Sequence, residues 1–196
     1  MENYSLQQGF LSEGSVVIFP TDTVFGIGCR LYDDEAIGKI FKIKNRPVEK
    51  KLPVLCDILV TVNDLAVLDA RALKLAHAFW PGPLTIILPS SLKYYEKTGN
   101  KTIGVRIPDH PGVVRLIRQN GPLVTTSVNI SGEKELTNYD EIKKLFSNKV
   151  DYIYHDEKSV YLNIASTTVD LTNNEVKILR EGTITKEEIE EVLNKD

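Results

Sequence analysis

A chain of 196 residues that is 42% hydrophobic and 26% charged has the composition of an ordinary globular protein with one sizeable core. A formal charge of −3 and a pI near 5.7 argue against a generic nucleic-acid binder, which is basic overall. No apolar run approaches the ~20 residues of a membrane span.

The charge is uneven. Residues 1–132 hold 15 basic against 12 acidic side chains, and residues 133–196 hold 9 against 15. One basic cluster stands out, at Lys39, Lys42, Lys44, Arg46, Lys50 and Lys51. Such a run is usually a solvated helix face; an anion site is the sharper reading. Cys29 and Cys56 fit neither a metal nor a redox spacing and read as a reduced pair. Met1-Glu2-Asn3-Tyr4 lacks the basic-then-apolar pattern of a signal peptide, so the expected location is the cytoplasm.

In chain order, residues 4–13 predict a helix, with Leu6, Phe10 and Leu11 on one side and Gly14 as its stop. Val16 to Phe19 reads as a buried strand that Pro20 ends. Thr21, Asp22 and Thr23 then fall beyond a strand's carboxyl end, where open α/β sheets place ligands. Gly26 and Gly28 allow tight turns or close approach of a ligand to the backbone. Asp33 and Asp34 cap a helix with Ala36, Ile37, Ile40 and Phe41 on its apolar face. That helix ends before Pro47.

Residues 53–56 predict a short strand, 64–69 and 70–79 a helical pair, and 84–88 a strand closed by Pro89. Residues 90–101 read as a polar, mobile loop. Strands follow at 102–107 and 123–128, separated by a helix over 111–119 with Pro111 in its first turn. Residues 140–146 predict a helix, three late strands lie near 152–154, 167–171 and 176–179, and a charged helix over 185–194 ends the chain. No repeat or linker divides it. The fold class is α/β: a single domain over 1–196, built on a large twisted mixed sheet with flanking helices.

Several chemistries are pruned by motif. There is no phosphate-binding Gly-x-x-x-x-Gly-Lys-Ser/Thr loop, no His-Glu-x-x-His and no Gly-x-Ser-x-Gly. His77, His110 and His155 are scattered. What remains is hydroxyls, amides and cations at strand ends. Ser127, Asn129 and Ser131 alternate, so an extended segment points them one way; on spacing alone a plain strand exit explains them as well. Arg106 and Arg180 sit in strands and need anionic partners if buried. Neither a proton shuttle nor a covalent nucleophile stands out. This inventory suits binding and polarising an anion.

Six motifs occur in order: Pro20 to Gly28, Lys44-x-Arg46-Pro47, Trp80-Pro81-Gly82-Pro83-x-Thr85, Val105-Arg106-x-Pro108, Ser127-x-Asn129-x-Ser131-Gly132 and Ser166-Thr167-x-Val169-Asp170. Together they resemble the YrdC family of L-threonylcarbamoyladenylate synthases, in its short bacterial form. The resemblance implies that L-threonine, bicarbonate and ATP give threonylcarbamoyl-AMP and pyrophosphate. Separate transferase proteins then modify tRNA. It implies Lys44 and Arg46 as catalytic cations and Thr21, Thr23 and Arg106 around threonine and bicarbonate. It places Lys51 (or Lys50), Ser127, Asn129, Ser131, Ser166 and Arg180 on ATP. Mg²⁺ is expected with ATP, with no organic cofactor, no membrane and little direct tRNA binding. Cys56 stands where longer relatives often carry a histidine near the substrate. Two alternatives stay open on the residues: a double-stranded RNA or tRNA-binding module, and a carbamoyl-adenylating domain of hydrogenase maturation.

Overall fold

The computed structural model describes residues 8–155 and 162–195. Nine strands form one mixed sheet in the order β7-β1-β2-β6-β3-β5-β4-β8-β9. They are β1 (Val17–Phe19), β2 (Gly26–Arg30), β3 (Val54–Leu55), β4 (Leu84–Pro89), β5 (Thr102–Arg106), β6 (Leu123–Ser127), β7 (Tyr152–Ile153), β8 (Thr167–Asp170) and β9 (Lys177–Arg180). Seven helices accompany them among the described residues: α1 (Asp34–Lys44), α2 (Leu59–Leu65), α3 (Ala70–Phe79), α4 (Leu92–Thr98), α5 (Pro111–Asn120), α6 (Tyr139–Phe146) and α7 (Lys186–Asn194). None is long and apolar enough to cross a membrane.

Register decides what each face of the sheet carries. Along one face run Ile18 opposite Ile27, Cys29 opposite Val124, and then Val54, Val105, Ile86 and Val169, each matched with the next. All are buried in the main core with Ile40 of α1, Leu75 of α3, Ile142 of α6 and Ile189 of α7. The opposite face begins apolar: Val17, Phe19, Leu55 and Leu123 pack against Val113, Leu116 and Ile117 of α5. Beyond α5 the same face turns small and polar. Gly26 pairs with Ser127, Gly28 with Thr125, Leu55 with Arg106, Thr85 with Thr168 and Thr168 with Arg180. Because side chains alternate with period two, one strand of each pair fixes the face of the next.

Four expectations change. Residues 8–13 are turn and coil rather than helix, because Gly9 and Gly14 adopt positive φ of 87° and 75°. Asn120 at the end of α5 ties the segment down through Gly9 O and Leu11 N, while residues 4–7 lie outside the described chain. The glycine run at 26–30 is strand β2, not loop: a Cβ on Gly28 would press into Thr125 Oγ1 and lie 2.6 Å from Val124 O. Close strand packing, rather than turning, explains that glycine. The helix expected at 64–69 is α2 at Leu59–Leu65, where Val62 and Leu65 bury one stripe and Asn63 and Asp64 are merely its exposed side. The expected loop at 90–101 contains α4: Ser91 accepts from Tyr94 N, Gly99 closes the helix at φ 69°, and buried Tyr94 anchors it.

Candidate active site

The polar half of the second face floors a cavity of about 370 Å³. Thr21 and Thr23 reach it from the β1–β2 connection, Arg46 and Lys51 from the segment after α1, and Ser127 and Arg106 from the ends of β6 and β5. Ser166 and Arg180 close the far side. Eight expected site residues therefore meet, drawn from positions 21 to 180. The floor between them is Gly104, Thr125, Thr85 and Thr168. Among the described residues four lining side chains are cationic and none is a carboxylate, histidine or cysteine.

Arg106 is the most rigidly held. It is 6% exposed; its Nε donates to Gly82 O at 3.0 Å, Nη1 to Thr23 Oγ1 at 2.9 Å and Nη2 to Asp22 Oδ1 at 2.5 Å. One hydrogen on each terminal nitrogen is left over. Burial pulls its pKa down and Asp22 opposes that, so the guanidinium stays charged. Asp22 Oδ2 is buried with no partner. Thr21 Oγ1 donates to Val24 O at 2.7 Å and accepts from Thr23 N at 3.2 Å, and the two threonine hydroxyls lie 3.0 Å apart. Since the Thr21 proton is engaged by Val24, the Thr23 hydroxyl is the donor of that pair. Thr21 therefore has no hydrogen bond left to offer, and Thr23 keeps a single lone pair.

Lys44, Asn129 and Ser131 do not line the cavity. Lys44 is 1% exposed, and its Nζ donates to Ser127 O at 2.5 Å, Asn129 O at 2.8 Å and Asn129 Oδ1 at 2.6 Å. All three ammonium hydrogens are thereby taken up within the protein. Asn129 Nδ2 donates to Glu133 O, and Ser131 N donates to Lys44 O. These residues bolt the exit of β6 to the end of α1 and so set Ser127 and Arg46. Lys44 and Arg46 do not share an extended segment facing Thr21 and Thr23. Lys44 is the last residue of α1, and Asn45 turns the chain in the left-handed region at φ 50°. Burial, then the charge of Arg46, lowers the Lys44 pKa to about 8.

Arg46 braces its own loop, donating to Lys50 O at 3.0 Å and Lys51 O at 3.3 Å. Lys51 lines the cavity and Lys50 does not; Lys51 Nζ reaches Thr102 Oγ1 at 3.2 Å. Arg180 donates from Nε to Ser166 O at 3.0 Å and from Nη2 to Ser166 Oγ at 3.2 Å. Cys56 lies outside the lining, its thiol pushed up to about 12 by burial. His110 caps α5, accepting from Val113 N at 3.3 Å.

Against known proteins, the family model described as "Telomere recombination", that of the Sua5, YciO and YrdC proteins, matches residues 9–182. This chain belongs to the Sua5/YciO/YrdC family. It is 35% identical over 189 residues to the threonylcarbamoyl-AMP synthase of Pyrococcus abyssi, covering 94% of this chain and 55% of that protein. The Bacillus subtilis threonylcarbamoyl-AMP synthase is 34% identical over 188 residues, covering 93% and 54%. The chain thus spans about half the length of these two relatives. The crystal structure of P. abyssi Sua5 complexed with L-threonine superposes with a TM-score of 0.87 at 35% identity, over 96% of this chain and 56% of that one. The mixed sheet with flanking helices expected from the residues is therefore the family's fold.

Two residues were not expected to matter here: Asp22, which holds Arg106 from outside the lining, and Thr85 on the floor. Asp22 was visible only as a polar residue between two threonines. Thr85 carried a usable signal: it alternates with Leu84 and Ile86, so it had to face away from the core.

Proposed function

We propose that this chain is an L-threonylcarbamoyladenylate synthase that condenses L-threonine, bicarbonate and ATP to threonylcarbamoyl-AMP, pyrophosphate and water. The observation that carries the reading is a cavity lined, among the described residues, by four cations and no acid, in a member of a family whose relatives are named for that product. A carboxylate, a bicarbonate and a triphosphate must be gathered at one place, and the repulsion among these anionic groups is the obstacle. Fixed positive charge in a partly dry site lowers it.

The two spare hydrogens of Arg106 suit the carboxylate of threonine, since a guanidinium held by Asp22 presents a fixed fork. Thr23 offers its one lone pair to the amine. Arg46, Lys51 and Arg180 face the triphosphate. Ser127, whose hydroxyl donates to Asn129 Oδ1 at 2.9 Å, presents lone pairs suited to ribose or adenine donors. Lys44 acts as a positioning residue through the Ser127–Asn129 turn. Among the described residues no group of three or more His, Cys, Asp or Glu is assembled for a metal. This donor set fits Mg²⁺ arriving on the phosphate oxygens, where it would neutralise charge on the leaving pyrophosphate. The nucleotidyl transfer, the cytoplasmic setting and the hand-over of product to separate tRNA-modifying proteins belong to the same proposal.

Purified protein should release pyrophosphate from MgATP only when L-threonine and bicarbonate are both present. Equal rates without an amino acid would overturn the proposal. Serine should support a reduced rate, since one methyl group in a pocket is worth about 1–3 kcal/mol.

A further inference from the structure

Thr85 and Ser166 form an unusual pair on the cavity floor. Both are nearly buried, at 6% and 4% exposed, and their hydroxyl oxygens lie 2.9 Å apart. Both line the cavity. Two hydroxyls bring two hydrogens, and their mutual bond uses one. Every other interaction of the pair's oxygens is an acceptance: Ser166 Oγ takes a hydrogen from Arg180 Nη2. One hydroxyl hydrogen is therefore left without an acceptor among the described residues. The Thr21–Thr23 pair is the opposite, since both of its hydrogens are engaged.

The direction of the pair follows from the cation behind it. An oxygen that accepts from a guanidinium becomes a stronger donor and a poorer second acceptor. The chain of bonds then runs from Arg180 to Ser166 to Thr85, and the free hydrogen is on Thr85. Position supports this. Thr85 pairs with Thr168 on β8 and shares its face with Arg106 on the neighbouring β5, so it stands between the two arginines. Ser166 cannot back away, because Gly182 lies flat against that turn: a Cβ there would strike Ala165 O and come within 2.7 Å of Thr167 N.

We infer that Thr85 is a substrate-contacting residue, donating its hydroxyl hydrogen to an anionic oxygen, with Arg180 and Ser166 fixing the polarity of that bond. Thr23 can only accept and Thr85 can donate, so a ligand that sets a donor beside Thr23 and an anionic oxygen beside Thr85 has one way to lie. The inference rests on the proposed synthase reading for its ligands, whose anionic oxygen is either the carboxylate of threonine or a phosphate of ATP.

The test is calorimetric titration of the full chain with MgATP and, separately, with L-threonine. Thr85→Val keeps the shape and removes the hydrogen; it should weaken one of the two ligands by about 10- to 100-fold, the range for a hydrogen bond to a charged group. The ligand affected identifies the oxygen. Thr85→Ser restores the donor and should bind within about threefold of wild type. If the valine variant does not fold, Thr85→Ala carries the same expectation. Valine and alanine variants that bind both ligands as wild type does would overturn the assignment while leaving the synthase reading intact. A wild-type chain that binds neither ligand would overturn both.

Discussion

Removing the carboxylate of Asp22 should destabilise the protein more than its place in a loop suggests. Arg106 and Asp22 form a 2.5 Å ion pair with side chains only 7% and 10% exposed. Asp22→Ala leaves a buried guanidinium with Gly82 O and Thr23 Oγ1 as its only partners among the described residues. Breaking one side of such a pair costs about 3–5 kcal/mol, because the surviving charge keeps its desolvation penalty. In a chain of this size each kcal/mol moves Tm by roughly 2–4 °C. The expected fall is therefore about 6 to 20 °C. Asp22→Asn, which retains an acceptor and the shape, should lose less. The double variant Asp22→Ala/Arg106→Leu should recover part of the loss, since the stranded charge is gone. Thermal and urea unfolding measure all three. A single alanine variant within about 1 kcal/mol of wild type, or a double variant less stable than the single, would refute the account.

Lys44 gives a pH signature. Its folded pKa lies near 8, against 10.5 for an ordinary lysine, so between those values the unfolded chain binds more protons than the folded one. Unfolding free energy should then rise with pH across that window in the wild type relative to Lys44→Met, and a flat difference would deny that the buried ammonium is strained. Gly28→Ala should destabilise by about 1–3 kcal/mol, since the new methyl meets Thr125 Oγ1 and the Val124 carbonyl. Gly104→Ala, whose nearest neighbour would be Pro53 Cβ at 3.5 Å, should fold normally yet fill the cavity floor and weaken ligand binding; chemical denaturation and titration separate the two.

What the residues revealed depended on how local the cause was. Helix α1 was legible because Asp33, the 36–37–40–41 stripe and Pro47 are all local signals. Strand β2 was not, because Gly26-Ile27-Gly28 has low strand propensity and its pairing with β6 lies about a hundred residues away. Helix α4 was hidden by a polar sequence that only one buried tyrosine secures. Of the eight expected residues that line the cavity, six were legible in ordered motifs, Lys51 in the basic cluster and Arg180 as a strand arginine, but the structural places of Lys44 and Asn129 were not. Spacing shows that a lysine is present, and cannot show that three oxygens of a distant turn already hold its hydrogens. Asp22 was similarly silent, since its significance lies in an arginine 84 positions further on.

The strand order has a consequence for how binding competence arises during folding. Neighbours on the cavity floor are remote along the chain: Gly26 beside Ser127, Leu55 beside Arg106, Thr85 beside Thr168. Continuous stretches supply only pieces of the floor, β4 beside β5 and β8 beside β9; joining those pieces needs the non-local pairings, which form late and slowly. The cavity is thus absent until nearly the whole sheet has closed, and a ligand that enters it binds the finished state alone. At a hundred times its Kd that ligand adds about 2.7 kcal/mol to the folded side. Reactants would in this way brace each newly made molecule, tying the abundance of the protein to the supply of what it consumes.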